Sequence, residues 1–351
     1  MKELSDIAWN VDEETYRADP ALSHSTLARY EENGRFSSLP TLFDKLTTSS
    51  LTFGSMVDTL LTGSEEEFAN QFIVVDDPNI SDTLKDITYE LVNRYKDVNK
   101  NFDDIPDEVL AEVGKVHDFW ANDKYIANRI KQIKQNCKTY YSILMTADGK
   151  TIVTQQDVDD ARRCAETLKT SPKTSFLFAD NDPFDERFRR YYQLKFKCTD
   201  PQTSVEYRSM LDLIIVDYEN KMIYPYDLKT TSFNEWEFPK AIVKYKYHDQ
   251  ARLYWRNLVQ NISKDEYFKD FKVDDFRFVC INRKNCKPLI WKFEKTRAVG
   301  EISVKTKSGY THVWRDPYVI GAELHNYLES EYEYPIGTKD ENNIVDYIEN
   351  N

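Results

Sequence analysis

The stretch from Val205 to Lys229 (Val-Glu-Tyr-Arg-Ser-Met-Leu-Asp-Leu-Ile-Ile-Val-Asp-Tyr-Glu-Asn-Lys-Met-Ile-Tyr-Pro-Tyr-Asp-Leu-Lys) reads as two β-strands around a turn. Val205–Asp217 alternates, with Leu211, Leu213 and Ile215 on one face. Tyr218-Glu219-Asn220-Lys221 is turn-like, and Met222–Lys229 follows as the partner strand. A turn centred on Glu219-Asn220 sets Asp212 opposite Asp227. Facing side chains on antiparallel strands have Cβ atoms about 4.5–5.5 Å apart, and like charges so placed repel unless something neutralises them. Lys229 lies two residues past Asp227 and shares its face. Two carboxylates and an ammonium on one patch of sheet suit a hard divalent cation, Mg²⁺ or Mn²⁺, with a positioned nucleophile. By spacing alone the same residues also fit a solvated Asp212 and an ordinary Asp227–Lys229 ion pair at a strand edge.

Around this hairpin the order of elements indicates an α/β protein, a mixed sheet flanked by helices. Tyr191–Cys198 is aromatic-rich and alternating, which predicts a strand before the hairpin. After it come a long helix over about Glu237–Gln260, strands Phe276–Asn282 and Leu289–Phe293 joined by a basic turn, and a helix over Pro317–Tyr332. Upstream, His24-Ser25-Thr26-Leu27 starts a helix, and 53–62 reads as a buried helix with apolar residues at 53, 56, 57, 60 and 61. Residues 80–170 are mostly helical and charged. The expected organisation is an N-terminal helical part of the core (1–80), a helical insertion (81–175), the core itself (176–335) and an acidic tail (336–351).

Composition narrows the function classes. The chain has 351 residues and a formal charge of −13, and 14% of its residues are aromatic while only nine are Gly. That excludes a disordered or low-complexity protein. Five irregularly spaced Cys make no disulfide framework and no Cys-x-x-Cys metal site. The N-terminus has no apolar leader, and no run approaches the about 18 apolar residues of a membrane span, so a soluble, cytoplasmic protein without membrane contact is expected. There is no nucleophile elbow, no Cys–His pairing and no P-loop. The acidic balance does not favour nucleic acid, yet Arg187 through Arg208 holds six basic residues and two acidic ones, a local strip that a metal would help to hold DNA. Along the predicted helix, Tyr247, Gln250 and Tyr254 share one face within about 60°. Lys240, Lys244, His248, Arg252 and Arg256 recur every four residues as a drifting basic row that fits a phosphate path or a solvated surface.

Tyr207–Asp212 followed by Tyr226-Asp227-Leu228-Lys229-Thr230-Thr231 resembles the bipartite motif of PD-(D/E)XK nucleases, and more narrowly the RecE-type (exodeoxyribonuclease VIII-like) phage exonucleases. Pro20–Leu27, Phe53–Leu61, Tyr245–Tyr254 and Phe276–Phe293 resemble further segments of that group, in the same order. The resemblance implies a restriction-endonuclease-like core and Mg²⁺- or Mn²⁺-dependent cleavage of DNA, most directly from duplex ends. It implies Asp58, Asp212, Asp227 and the Leu228 carbonyl as metal ligands. Lys229 would orient or deprotonate the attacking water, and Gln250 and Tyr254 would hold phosphate or water. Arg208, Lys244, Tyr247, His248 and Arg252 are the expected DNA contacts. A homo-oligomer and a single-strand annealing partner are implied as well. The chain departs from the group at Asp58, where His is usual, at Gln193, where Glu is frequent, and at Met210, where a basic residue stands. These departures keep open a catalytically inactive nuclease-fold module that binds DNA or protein.

Overall fold

The computed structural model describes residues 2–38, 42–43, 48–75, 80–147, 149–305, 309 and 311–329. In chain order the elements are α1 (Glu13–Ala18), α2 (His24–Ser38), α3 (Ser49–Thr62), α4 (Glu65–Gln71), β1 (Phe72–Val75), α5 (Asp82–Tyr95), α6 (Asp107–Val116), α7 (Ile126–Thr146), β2 (Thr151–Thr154) and α8 (Gln155–Thr170). They continue with β3 (Phe188–Thr199), β4 (Glu206–Asp217), β5 (Met222–Thr231), α9 (Phe238–Lys244), α10 (Tyr247–Lys264), β6 (Lys272–Val273), β7 (Phe276–Asn282), β8 (Pro288–Phe293), β9 (Ile302–Lys305), β10 (Thr311–Trp314) and α11 (Pro317–Glu329). Among the described residues no helix is long and apolar enough to cross a membrane. The acidic tail lies outside the described residues.

The chain divides into two compact units, one of Met1–Thr47 with Thr167–Asn351, the other Thr48–Glu166. The second unit therefore starts at Thr48 rather than 81. The reason is local: β1, which follows α3 and α4, pairs in parallel with β2 from Phe72↔Thr151 to Val75↔Thr154. Its core gathers Ile87 and Leu91 of α5, Leu110 and Val113 of α6, and Ile133, Cys137 and Tyr141 of α7. Within it the Arg129 guanidinium is fully buried and donates to the carbonyls of Trp120 and Ala111.

The first unit is built on a mixed sheet in the order β3-β4-β5-β7-β8, with β6 beside β5. All pairings along that path are antiparallel except β5–β7, which is parallel and spanned by α9 and α10. Leu211, Ile214 and Val216 of β4, Ile223 of β5 and Phe276 and Phe278 of β7 pack against Ala251, Leu258 and Ile262 of α10. The hairpin has the expected register, from Asp217↔Met222 to Leu213↔Tyr226. Asp217 holds the turn by accepting from Asn220 N (3.0 Å) and Asn220 Nδ2 (2.8 Å) and by pairing with Arg187 (3.0 Å).

Three features differ from the sequence reading. The β4–β5 ladder stops at Leu213↔Tyr226, because β5 turns to β7, which it pairs from Tyr226 to Thr231. The abandoned edge of β4 is taken by Leu22, whose N–H donates to Glu206 O while its carbonyl accepts from Arg208 N. That contact sets the start of α2 beside the hairpin. The single long helix is two, broken where Lys246 adopts a left-handed conformation (φ 53°, ψ 35°). Finally, the β9–β10 hairpin and the two short strands β1 and β2 carry no run long enough to announce them.

Candidate active site

The site grows from the point where β4 and β5 part. Asp212 has lost its ladder partner, and its Oδ2 accepts the Leu228 N–H at 2.7 Å, a side chain standing in for a strand. Asp227, only 2% exposed, points to the α10 side, where Gln250 Nε2 donates to its Oδ1 at 2.6 Å and Lys229 Nζ pairs with its Oδ2 at 2.5 Å. Tyr247, at the first turn of α10, presents its ring 4.8 Å from the Lys229 ammonium. Tyr254 follows two turns on, next to Phe276. The α10 face predicted from spacing is therefore the one that meets the hairpin.

Opposite Asp212 on the other side of β4 stands Gln193, between the pairs Tyr192↔Leu213 and Leu194↔Leu211. Its φ is 52°, left-handed in the middle of a strand. For a residue other than glycine that costs about 1–3 kcal/mol and persists only where surroundings enforce it.

Burial sets the charges. It pushes the Asp227 carboxyl up, and the Lys229 ammonium, with the Asp212 and Gln250 side chains beside it, offsets this only in part. Burial alone would lower Lys229, but its neighbours, Asp227 first, then Tyr247 and Asp212, hold it above the ordinary lysine value. Burial also lifts the Tyr254 phenol well above its usual range, with Tyr16, Asp227 and Asp212 adding to the effect. Lys229 is thus an ammonium donor and Tyr254 a neutral phenol; neither is placed to take up a proton.

The donor set fits Mg²⁺ or Mn²⁺. Mg²⁺ prefers one or two carboxylates with waters and substrate phosphate over an all-protein cage. Among the described residues no group of three or more His, Cys, Asp or Glu side chains is placed to hold a metal ion. With both carboxyls ionised, the patch sets two formal negative charges against one ammonium, a balance that a bound cation would favour. Gln250 Oε1 is buried with no hydrogen-bond partner among the described residues, a polar atom left for a ligand or water. Asp58 sits on α3, in the second unit.

The expected DNA contacts divide. Lys244 is exposed and Tyr247 half-buried. Arg208, His248 and Arg252 are interior, which corrects their reading as surface contacts to phosphate. Arg208 Nη1 donates to the carbonyls of Tyr16 (2.6 Å), Arg17 (3.1 Å) and Asp19, and so fastens the N-terminal segment to β4. His248 stacks on Trp314 with ring centroids 4.0 Å apart and bonds Asp249 at 2.9 Å. Arg252, with no exposure, donates to the carbonyls of Arg315 (2.6 Å) and Gly300. The basic row is broken because α10 packs on two sides, so its middle members lie inside.

His24 is a site residue that spacing did not reveal. At the start of α2 its Nε2 lies 3.0 Å from Lys246 O, the left-handed residue that opens α10. Burial pushes its pKa down to about 4, and the nearby Lys229 ammonium adds to this. The only sequence signal was its place in the Ser-His-Ser segment, which gives no hint of the 222-residue separation it bridges. Neither a family model nor a curated protein sequence matches this chain.

Proposed function

We propose that this chain is a divalent-metal-dependent DNA phosphodiesterase of the PD-(D/E)XK type, acting as an exonuclease on duplex ends. The observation that carries this reading is the patch where Asp212 and Asp227 meet Lys229, Gln250 and Tyr254 at the parting of two strands. Asp212, Asp227 and the Leu228 carbonyl would hold Mg²⁺ or Mn²⁺. When bound, the ion supplies Lewis acidity and a water of lowered pKa at the scissile phosphate. Lys229 remains protonated, orients the attacking water and stabilises charge on the phosphate oxygens. Gln250 fixes the Asp227 carboxylate through Oδ1, and its own Oε1 is left to accept from a water. Tyr254 donates as a phenol. A homo-oligomer and an annealing partner belong to the same proposal and rest on the sequence resemblance; a cytoplasmic setting belongs to it too and rests on composition.

Incubation with linear and with closed circular duplex DNA, in Mg²⁺ and in EDTA, tests this. Progressive loss of linear DNA only, and only with metal, is expected. Cleavage of closed circles assigns an endonuclease on the same site, and no metal-dependent cleavage of either rejects the reading.

One observation favours a second reading, a non-catalytic module. Asp227 is already held inside the protein by Gln250 and Lys229, and a neutral Gln193 lies between the β3–β4 pairs that flank Asp212. Calorimetry decides: absence of Mn²⁺ and Mg²⁺ binding at millimolar concentration, with DNA affinity retained, makes the module the better account.

A further inference from the structure

We infer that the loops at the carboxyl end of β5 form a stacking subsite for an unpaired nucleotide of single-stranded DNA, centred on Trp236. The inference extends the DNA reading above and names a subsite beside the same patch. Here the residues after β5 and the turn between β7 and β8 enclose a cleft of about 250 Å³. Thr231 lines it, two residues past Lys229 on the same strand face and so about 7 Å further along. Cys280 also lines it, directly across from Lys229 in the β5–β7 register. A strand whose phosphate meets Lys229 therefore runs its next nucleotide into this cleft.

The chemistry of the cleft fits that occupant. Trp236 is 81% exposed, an indole that folding leaves in water. Aromatic faces of this kind stack bases without regard to sequence. The turn Arg283-Lys284-Asn285-Cys286-Lys287 carries three cations and no acid, on a chain whose overall charge is −13. Lys284 and Lys287 are exposed and make no ion pair among the described residues. Glu235 is the one carboxylate in the lining.

The two loops are also fixed in advance. Asn282 Nδ2 donates to Phe233 O (2.8 Å), while its Oδ1 accepts from Lys284 N (2.8 Å). Asn234 Oδ1 accepts from Trp236 N (3.1 Å) and Glu237 N (3.0 Å). Little order remains to be gained when a strand arrives. An unpaired base is the occupant because a base inside a duplex has both faces covered by its neighbours.

The test is fluorescence anisotropy with a short labelled single-stranded oligonucleotide in EDTA, where nothing is cut. Trp236→Ala is expected to weaken binding about tenfold or more, and Trp236→Phe to restore most of it. Lys284→Gln with Lys287→Gln is expected to flatten the salt dependence by about 0.7 in slope for each phosphate that is no longer neutralised. Equal affinity of wild type and Trp236→Ala, or no binding by wild type, overturns the subsite. Metal-dependent cleavage is measured in parallel on the same proteins. Normal cleavage with no effect of Trp236 removes the subsite and leaves the nuclease reading. Trp236-dependent binding without cleavage does the reverse.

Discussion

Two faces of one helix, α10, hold charged groups out of water, and they do so on different terms. On one face Arg252 and Arg256 meet Asp249 and Asp316, two cations for two anions. Arg252 Nη1 lies 3.7 Å from Asp249 Oδ1, and Arg256 Nη1 2.6 Å from Asp316 Oδ1. Main-chain carbonyls of Arg315 and Gly300 take the Arg252 donors, and Gly300 N gives to Asp316 Oδ2 at 2.6 Å. Arg256 also lies 3.5 Å over the Tyr318 ring. On the other face Gln250 and Tyr247 meet Asp212, Asp227 and Lys229, two acidic side chains for one basic one, with Gln250 Oε1 left over. A balanced buried cluster ties elements together, here with Arg252 Nε left without a hydrogen-bond partner among the described residues. An unbalanced one is costly in isolation and gains when a cation enters. The contrast separates the arginines that spacing placed on a DNA path from the residues proposed to do chemistry.

The contrast is broken most directly at the carboxylates. Asp212→Ala and Asp227→Ala are each expected to lower metal-dependent cleavage about a thousandfold or more, with circular dichroism unchanged. Full activity in both would place the chemistry elsewhere. Arg252→Met is expected to do the opposite. It should lower unfolding stability by about 3 kcal/mol in urea titrations and leave cleavage per folded molecule intact. A loss of DNA affinity at unchanged stability would return Arg252 to the binding surface.

A finer separation comes from Lys229→Met. The rate is expected to fall about a hundredfold, with Mn²⁺ affinity by calorimetry changed far less, since the ammonium serves the reacting oxygens and not the ion. The smallest effect is a pH dependence. His24 has a pKa of about 4 when folded against an ordinary 6.5. The unfolded chain therefore binds more protons between these values, so this group's contribution is present above about 6.5 and is lost as pH falls towards 4. His24→Gln, which keeps a donor for Lys246 O, should flatten that slope in thermal melts. An unchanged slope would show that His24 is hydrated rather than buried.

Much of the hairpin was legible. The alternation of Leu211, Leu213 and Ile215 and the turn residues Glu219-Asn220 define both strands and the register, because side-chain period and turn length are local properties. The shared face of Tyr247, Gln250 and Tyr254 was legible for the same reason. Spacing could not show that the ladder ends at Leu213↔Tyr226, nor that Leu22 fills the edge β5 leaves. Both depend on β5 finding β7, about fifty residues on. The break at Lys246 was equally hidden, since its left-handed conformation is held by contacts with His24 and Glu31 from α2. A lysine in a charged segment looks the same in sequence whether it continues a helix or breaks one.

The amino-acid order alone thus determined which residues alternate, where the chain turns, and that two aspartates and a lysine would share one patch of sheet. Folding in three dimensions decided which charges went inside and with what company. His248, Arg208 and Arg252 became internal fasteners because helix and strand surfaces that look exposed in one dimension are covered by distant elements. Whether a charge is solvated depends on what packs over it, and that is a property of the assembled layers, not of spacing.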